Sequence, residues 1–161
     1  MIKHKLFTIL FIATISMTLI NCKENNNEIL QQITSTLEGT WGVDNSSLTE
    51  HWYRKNNDTL AAISYYFEDN GDSAYLSNTY IYKKDDKLFL DVINKNNKLK
   101  LYYFKEKKDQ FYIFNAISKD FYPYTIKYKE REPNNKTLES NVSGKIDTTY
   151  KEFNFSMYKI K

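Results

Sequence analysis

Apolar and polar residues alternate in short runs through most of the chain, a period of two that is typical of β-strands. Residues 28–38 are different, because their apolar positions recur at helical spacing on one face, namely Ile29, Leu30, Ile33 and Leu37. From Gly39 onward the runs are rich in Tyr, Phe, Ile and Thr and are separated by turn residues. The pattern predicts an all-β domain preceded by one short helix.

Turn chemistry divides this region into about ten candidate strands. The turns are "NND" at 56–58, "DNGD" at 69–72, "KDDK" at 84–87, "NKNN" at 94–97, "KKDQ" at 107–110 and "EPNNK" at 132–136. The strands are predicted near 40–44, 49–55, 59–68, 73–83, 87–94, 98–106, 111–116, 123–130, 137–145 and 150–160. Loops this short join antiparallel neighbours, because a parallel partner needs a crossover of about a dozen residues. So long a meander tends to close, which predicts an antiparallel up-and-down β-barrel.

Alternation also predicts which side chains face the interior. The inward stripes are Tyr124, Ile126 and Tyr128, then Phe153, Phe155 and Met157, and in mid-chain Leu99, Leu101 and Tyr103. Adjacent aromatic residues, as in "YYF" at 65–67 and 102–104, send rings to opposite faces of their strands. Some rings are therefore expected outside the barrel, under the helix or on an exposed patch.

The start of the chain has the pattern of an export signal. An uncharged apolar run from Leu6 to Ile20 follows Lys3 and Lys5 and is too short to span a bilayer comfortably. It ends in "LINC", which resembles the lipobox of bacterial lipoproteins, where the chain is cut before a cysteine that is then acylated. Cys22 is the only cysteine and so closes no internal disulfide. We expect a signal peptide over residues 1–21 and lipidation at Cys22.

Residues 22–27 are polar and are interpreted as a tether between the membrane and a barrel domain at 28–161. A lysine followed by an acid after the anchoring cysteine is similar to signals that send some lipoproteins to the outer face of the outer membrane. A linker with no address is the equal alternative. The expected location is the bacterial cell envelope, as an outer-membrane lipoprotein facing the periplasm or the surface, with the membrane as partner through acylated Cys22.

The charge balance argues against a nucleic-acid partner. The chain has 23 basic and 20 acidic residues, a formal charge of +3, and loss of Lys3 and Lys5 with the signal leaves about +1. Phosphate binding needs a net basic footprint, whereas these lysines are interleaved with acids. One domain of ordinary size, expected to be a monomer, fits this length.

Several motifs resemble an uncharacterised family of bacterial lipocalin-like lipoproteins with a calycin-like barrel. They are the Gly-x-Trp of "LEGTW" at 37–41, an acid-x-Trp strand within 50–75, and the Asn115, Asp120, Phe121 and Pro123 cluster within 111–130. The resemblance covers about residues 37–160 and implies a lipocalin-like barrel in which Trp41 plugs the closed end. Lys119 stands where the family usually has His, and Tyr122 interrupts its Phe-Pro pair, so the resemblance carries no acid-base or metal chemistry to this loop.

Candidate chemistry is sparse outside one strand. By alternation Glu50, Trp52 and Arg54 share a face, so an inward Arg54 would pair with Glu50 or Asp120 or await an anionic ligand. His51 lies on the other face and is read as a surface imidazole. No nucleophile-base pair, phosphate loop or zinc-ligand spacing is recognisable. The sequence predicts no catalytic residue, cofactor or metal.

Abundant aromatic residues favour a ligand-binding barrel. The chain has 14 Tyr, ten Phe and two Trp, of which only Phe7 and Phe11 precede Cys22. Tyrosine-lined cavities suit amphipathic guests, although large rings can also fill a barrel completely. The leading hypothesis is a small apolar or amphipathic ligand bound by Trp41, Glu50, Trp52, Arg54, Tyr66, Tyr103, Asn115, Asp120 and Tyr124. The alternative is a non-catalytic protein-protein interaction module of the envelope, and an enzyme ranks third.

We expect Cys22→Ser to leave the barrel folded while the chain stays uncut and unacylated. The reason is that the serine hydroxyl does not replace the sulfur that accepts the lipid. Metabolic labelling with a radioactive fatty acid tests this, and incorporation that survives the substitution would place the anchor elsewhere.

Overall fold

The chain is one helix followed by strands that close into a barrel, as described by a computed structural model for residues 25–68, 72–129 and 136–160. Helix α1 spans Asn26–Leu37, and Asn25 is its N-cap. The Asn25 side chain accepts a hydrogen bond from the backbone N–H of Asn27. The helix was predicted over residues 28–38, two residues later at its start. The predicted signal peptide and Cys22 lie outside the described residues.

Ten antiparallel strands are described, and their bounds follow the predicted ones closely. They are β1 Gly39–Val43, β2 Leu48–Asn56, β3 Thr59–Phe67, β4 Ser73–Lys84, β5 Lys87–Asn94, β6 Leu99–Lys108, β7 Phe111–Ala116, β8 Thr125–Lys129, β9 Thr137–Ile146 and β10 Thr149–Lys159. Each pairs with its neighbour in sequence, and β1 pairs with β10, with Trp41 opposite Lys159 and Val43 opposite Met157. The predicted fold class, a closed up-and-down barrel, is confirmed.

Tight turns explain why the strands pair with their neighbours. Asp85 and Asp86 between β4 and β5 have φ of 49° and 55°, and Asp109 and Gln110 between β6 and β7 have φ of 51° and 68°. Two successive residues with positive φ form the turn type whose twist matches antiparallel strands. The turns predicted at "KDDK" and "KKDQ" are confirmed, whereas those near 69–72 and 132–136 lie mostly outside the described residues.

Helix α1 lies across one end of the barrel, which we call the closed end. This end carries the β2–β3, β4–β5 and β6–β7 turns, because loops of an antiparallel meander alternate between its ends. Asn26 Nδ2 donates to the Asp86 carbonyl, and Lys107 Nζ donates to Gln32 Oε1 at 2.9 Å. The opposite, open end carries the β1–β2, β5–β6, β7–β8 and β9–β10 connections.

The closed half of the barrel is filled by apolar side chains. Those of α1 pack onto inward residues of the strands, the main ones being Ile29, Leu30, Ile33, Leu37, Leu60, Ile81, Leu88, Leu90, Tyr112 and Phe114. Trp41 is fully buried among them, and its Nε1 donates to the Leu37 carbonyl at 2.6 Å. Trp41 therefore joins helix to barrel and plugs the closed end, as the Gly-x-Trp motif implied.

The predicted inward faces are right for two strands and wrong for one. Ile126 and Tyr128 of β8 and Met157 of β10 are buried. In β6, however, Leu99 is 48% and Tyr103 39% exposed, whereas Tyr102 is 1% exposed. The register explains the error, because Tyr102 lies between Leu90 and Ala116, which both face inward and are buried. The sequence "LKLYYF" places apolar residues on both faces of the strand, so alternation alone does not identify the inward face.

We expect Gly144→Ala to destabilise the barrel by about 1 to 3 kcal/mol, the usual cost of overpacking. A Cβ at Gly144 would lie 2.7 Å from the backbone nitrogen of Tyr124, which cannot move without disturbing the β7–β8 loop. Urea denaturation followed by tryptophan fluorescence measures the difference.

Gly42→Ala is the matched control for this prediction. The nearest atoms to a Cβ there belong to the Tyr158 side chain, the closest at 2.7 Å, and an exposed side chain can move where a backbone nitrogen cannot. A loss at Gly42 as large as the loss at Gly144 would contradict the argument.

Candidate functional site

The open half of the barrel is hollow. It holds a cavity of about 280 Å³ lined by Val43, Leu48, Glu50, Ser64, Ser77, Thr79, Val92, Pro123, Ile126, Tyr128, Ser140, Val142, Phe155 and Met157. Because the inward residues here include serines, a threonine and valines rather than the large apolar side chains of the closed half, the wall does not meet across the centre. The cavity is mainly apolar, with a few hydroxyls and one carboxylate.

Glu50 supplies that carboxylate from the middle of β2. Trp52 Nε1 donates to Glu50 Oε2 at 3.0 Å, and Ser64 Oγ donates to Glu50 Oε1 at 3.4 Å. Burial raises the pKa of Glu50 above its ordinary value of 4.5, and the hydrogen bonds from Trp52 and Ser64 oppose this rise. None of the described basic residues forms an ion pair with Glu50.

Aromatic residues hold the carboxylate at the boundary between the two halves. Trp52 is 1% exposed, and its ring meets the ring of Tyr128 edge-on, with centroids 5.7 Å apart. Burial raises the pKa of Tyr128, and the negative charge of Glu50 and the nearby Tyr102 raise it further. Tyr128 therefore presents a neutral hydroxyl, and Glu50 is the acid of the cavity.

The β7–β8 loop, residues 117–124, folds over the open end and contributes Pro123 to the cavity wall. Three inward or neighbouring groups hold it. Tyr102 Oη donates to the Pro123 carbonyl at 3.1 Å, Lys100 Nζ donates to the Tyr122 carbonyl, and the Tyr124 N–H donates to the Ser143 carbonyl at 2.8 Å. The loop thus narrows the opening of the barrel.

Of the residues predicted to bind a ligand, the structure brings Glu50 to the cavity wall and Trp52 directly beside it. Trp41 lies deeper, in the filled closed half. Tyr66 is paired with Leu48 at the open end, and its hydroxyl donates to Glu68 Oε1 at 3.5 Å.

Four predicted residues lie away from the cavity. Arg54 is exposed near the closed end, so the expected inward guanidinium beside Glu50 is wrong. Asp120 is exposed in the β7–β8 loop, and Tyr103 points outward. Asn115 is 9% exposed but lies on the outer face, where its Oδ1 accepts from Thr125 Oγ1 at 3.1 Å. Arg54 was misplaced because alternation gives a residue's face and not its depth along the barrel.

Tyr124 directly precedes β8 and is partly buried. It borders an open depression of about 580 Å³ on the outer surface, together with Asn115, Thr125, Lys127 and other residues of β6–β8. This depression is larger than the cavity but is a surface groove rich in lysines, with no buried acid or base. The cavity in the open half, which is mainly apolar and contains Glu50, is therefore the better candidate site.

The site residues that sequence reasoning missed are small and polar. Ser64, Ser77, Thr79 and Ser140 line the cavity from three strands. A signal exists for two of them, because Ser64 alternates with the buried Ala62 and Ser140 alternates with the apolar Leu138 and Val142. Small inward residues in a barrel strand mark the place where the interior remains open.

Within residues 25–68, 72–129 and 136–160, no group of three or more His, Cys, Asp or Glu side chains is arranged to hold a metal ion. In the same part of the chain, no helix has the length and apolar character needed to cross a membrane. A scan against protein-family models and a search of curated proteins found no match to this chain.

We expect Glu50→Gln to gain stability relative to the unchanged protein as the pH rises. A raised pKa means that the folded state binds the proton of Glu50 more tightly than the unfolded chain does. The contribution of protonated Glu50 to the free energy of unfolding is then fully present below pH 4.5 and is lost as the pH rises through the folded-state pKa. Between about pH 4 and pH 7 the difference should therefore change in favour of the variant.

Urea denaturation across this pH range measures the difference, and Glu139→Gln is the control. Glu139 lies on the outer face, where its side chain is 55% exposed and pairs with Lys129 at 2.8 Å. An exposed pair of this kind contributes about 0 to 1 kcal/mol. Equal pH dependence in the two variants would contradict the role assigned to burial.

Proposed function

We propose that this chain is a lipid-anchored protein of the cell envelope whose barrel binds a small apolar or amphipathic ligand. The cavity of about 280 Å³ in the open half carries this proposal. Ligand sites are typically concave and mostly apolar with a few convergent polar groups, and this cavity has that composition, with Glu50 and several hydroxyls among apolar side chains. Its size, close to the lower end of the usual range of roughly 300–1,000 Å³, favours a small ligand.

The position of helix α1 is compatible with a lipid anchor. The chain enters the barrel domain at the closed end, where Asn26 contacts Asp86. An acylated Cys22 on its short tether would hold the closed end toward the membrane. The open end would then face away from the lipid, accessible to a ligand in the periplasm or outside the cell.

A second candidate function, the protein-protein interaction module, is favoured by exposed apolar residues around the open end. Those on the strand ends and loops there are Phe67, Leu99, Ile117, Tyr150 and Phe153, all of them exposed. Exposed apolar side chains mark a site of protein contact where they form one contiguous surface, which this proposal requires of them. The cavity gives ligand binding the stronger support, because it places an acid and hydroxyls among apolar side chains inside the barrel.

We expect Val92→Phe to abolish ligand binding while the barrel stays folded. Val92 lines the cavity, and the larger ring occupies part of its volume. Titration of tryptophan fluorescence with a panel of small amphiphiles measures binding, because the indole of Trp52 is hydrogen-bonded to Glu50 at the cavity wall. Mass spectrometry of small molecules that co-purify with the unchanged protein provides ligands for the panel.

Ile63→Phe is the matched control, since Ile63 is 36% exposed on the outer face of β3 and the same ring there leaves the cavity open. Binding unchanged by Val92→Phe, or no binding by the unchanged protein, would contradict the proposal. The cavity variant also separates the two candidate functions, because it leaves the apolar residues around the open end in place.

A further inference from the structure

The described wall of the cavity has an acidic side chain but no basic one. Among its described lining residues, Glu50 and Tyr128 are the only titratable ones, and none is Lys, Arg or His. Apolar side chains, including Val43, Val92 and Met157, form most of the remaining wall. A guest in this space meets a single acid at the inner boundary and apolar surface around it.

Glu50 itself lacks a compensating charge. Both of its described partners, Trp52 Nε1 and Ser64 Oγ, are neutral donors. Basic residues opposite inward positions have other contacts: Lys100 Nζ donates to the Tyr122 carbonyl, Lys107 Nζ donates to Gln32 Oε1, and Lys159 Nζ lies over the Trp41 ring. Arg54 is exposed near the closed end. Glu50 is half-buried at the cavity wall, and a carboxylate that is partly removed from water without a counter-ion is costly. A cation brought in by a ligand offsets that cost.

Other guests fit this arrangement less well. A fatty-acid carboxylate would bring a second negative charge against Glu50, and like charges at close range repel strongly where water is excluded. A neutral alcohol can hydrogen-bond to Glu50 or to a hydroxyl of Ser64, but it leaves the carboxylate without a counter-charge. Only a cationic group supplies both hydrogen bonds and charge.

We propose that the cavity selects a small cationic amphiphile, a primary alkylammonium whose charged end binds the Glu50 carboxylate and whose alkyl chain lies along Val43, Val92 and Met157. This inference rests on the proposed ligand-binding function and names the class of ligand. The ammonium donates up to three hydrogen bonds, and Glu50 accepts them on lone pairs that Trp52 and Ser64 leave available. The cavity volume equals that of about nine water molecules in the liquid, which suits a short chain.

This selection predicts a pH dependence of defined sign. The cation binds the ionised form of Glu50, whose pKa burial raises above 4.5 in the empty protein. The other groups that face it across the cavity and from β2 and β3 are Tyr128, Trp52 and Ser64, all of them neutral near pH 7. An alkylammonium, like Lys with its reference pKa of about 10.4, stays charged throughout. Affinity should therefore fall as the pH drops toward and below the pKa of Glu50.

The test uses hexylammonium, hexanol and hexanoate, which share a chain and differ in the polar end. Calorimetric titration into the full-length protein should give the tightest binding for hexylammonium, about tenfold or more tighter than hexanol, and the weakest for hexanoate. In Glu50→Gln the preference for hexylammonium over hexanol should disappear, and the pH dependence with it. The amide retains an acceptor for Trp52, so this variant keeps the main local hydrogen bond.

Asp91→Asn is the matched control, because it removes one negative charge from the outer face, where Asp91 accepts from Tyr82 Oη at 3.3 Å. It should retain the preference for hexylammonium. Loss of that preference in Asp91→Asn would show that it depends on the net charge of the protein and not on Glu50, and would overturn the inference. Equal affinity for all three ligands, or affinity for hexylammonium that rises as the pH falls, would also overturn it while leaving ligand binding intact. If the protein bound none of these three ligands and no other amphiphile, the proposed function itself would be overturned.

Discussion

The pairing of β1 with β10 is the constraint on which the rest of the structure depends. Once Trp41 is opposite Lys159 and Val43 opposite Met157, the sheet has no free edge and encloses an interior. Every inward side chain then competes for one limited volume. Whether the protein has a solid core or a cavity is decided by the sizes of these side chains at each level of the barrel.

At the closed end, large apolar side chains fill the interior. Large apolar residues of the strands meet α1, and Trp41 links helix and barrel through the Leu37 carbonyl. Toward the open end the inward residues become Ser64, Thr79 and Val92, and the interior stays hollow. The stability of the barrel therefore depends mainly on the closed half, which leaves the other half free to carry chemistry that does not stabilise the fold.

Glu50 lies where these two halves meet, and its environment is unusual for a buried acid. It is held by Trp52 and Ser64 rather than by a basic residue, so its charge is tolerated by the fold and not neutralised by it. If the fold needed only a polar side chain at this depth of the barrel, a neutral serine or threonine would be enough, such as Thr79. An uncompensated carboxylate at a cavity wall is the feature that most distinguishes this interior from a simple core.

The sequence by itself determined the helix, the number and order of the strands and the closed meander, because period-two alternation and turn residues such as Asp85 and Asp86 act locally. It also placed Glu50 and Trp52 on one shared face of a strand. Only the tertiary structure decided that Tyr102 rather than Tyr103 faces inward, since Leu90 and Ala116 on the flanking strands select the face. It likewise decided that Arg54 lies outside the cavity and that small residues leave it open, because depth along a barrel and the sum of opposing side-chain volumes depend on every strand at once.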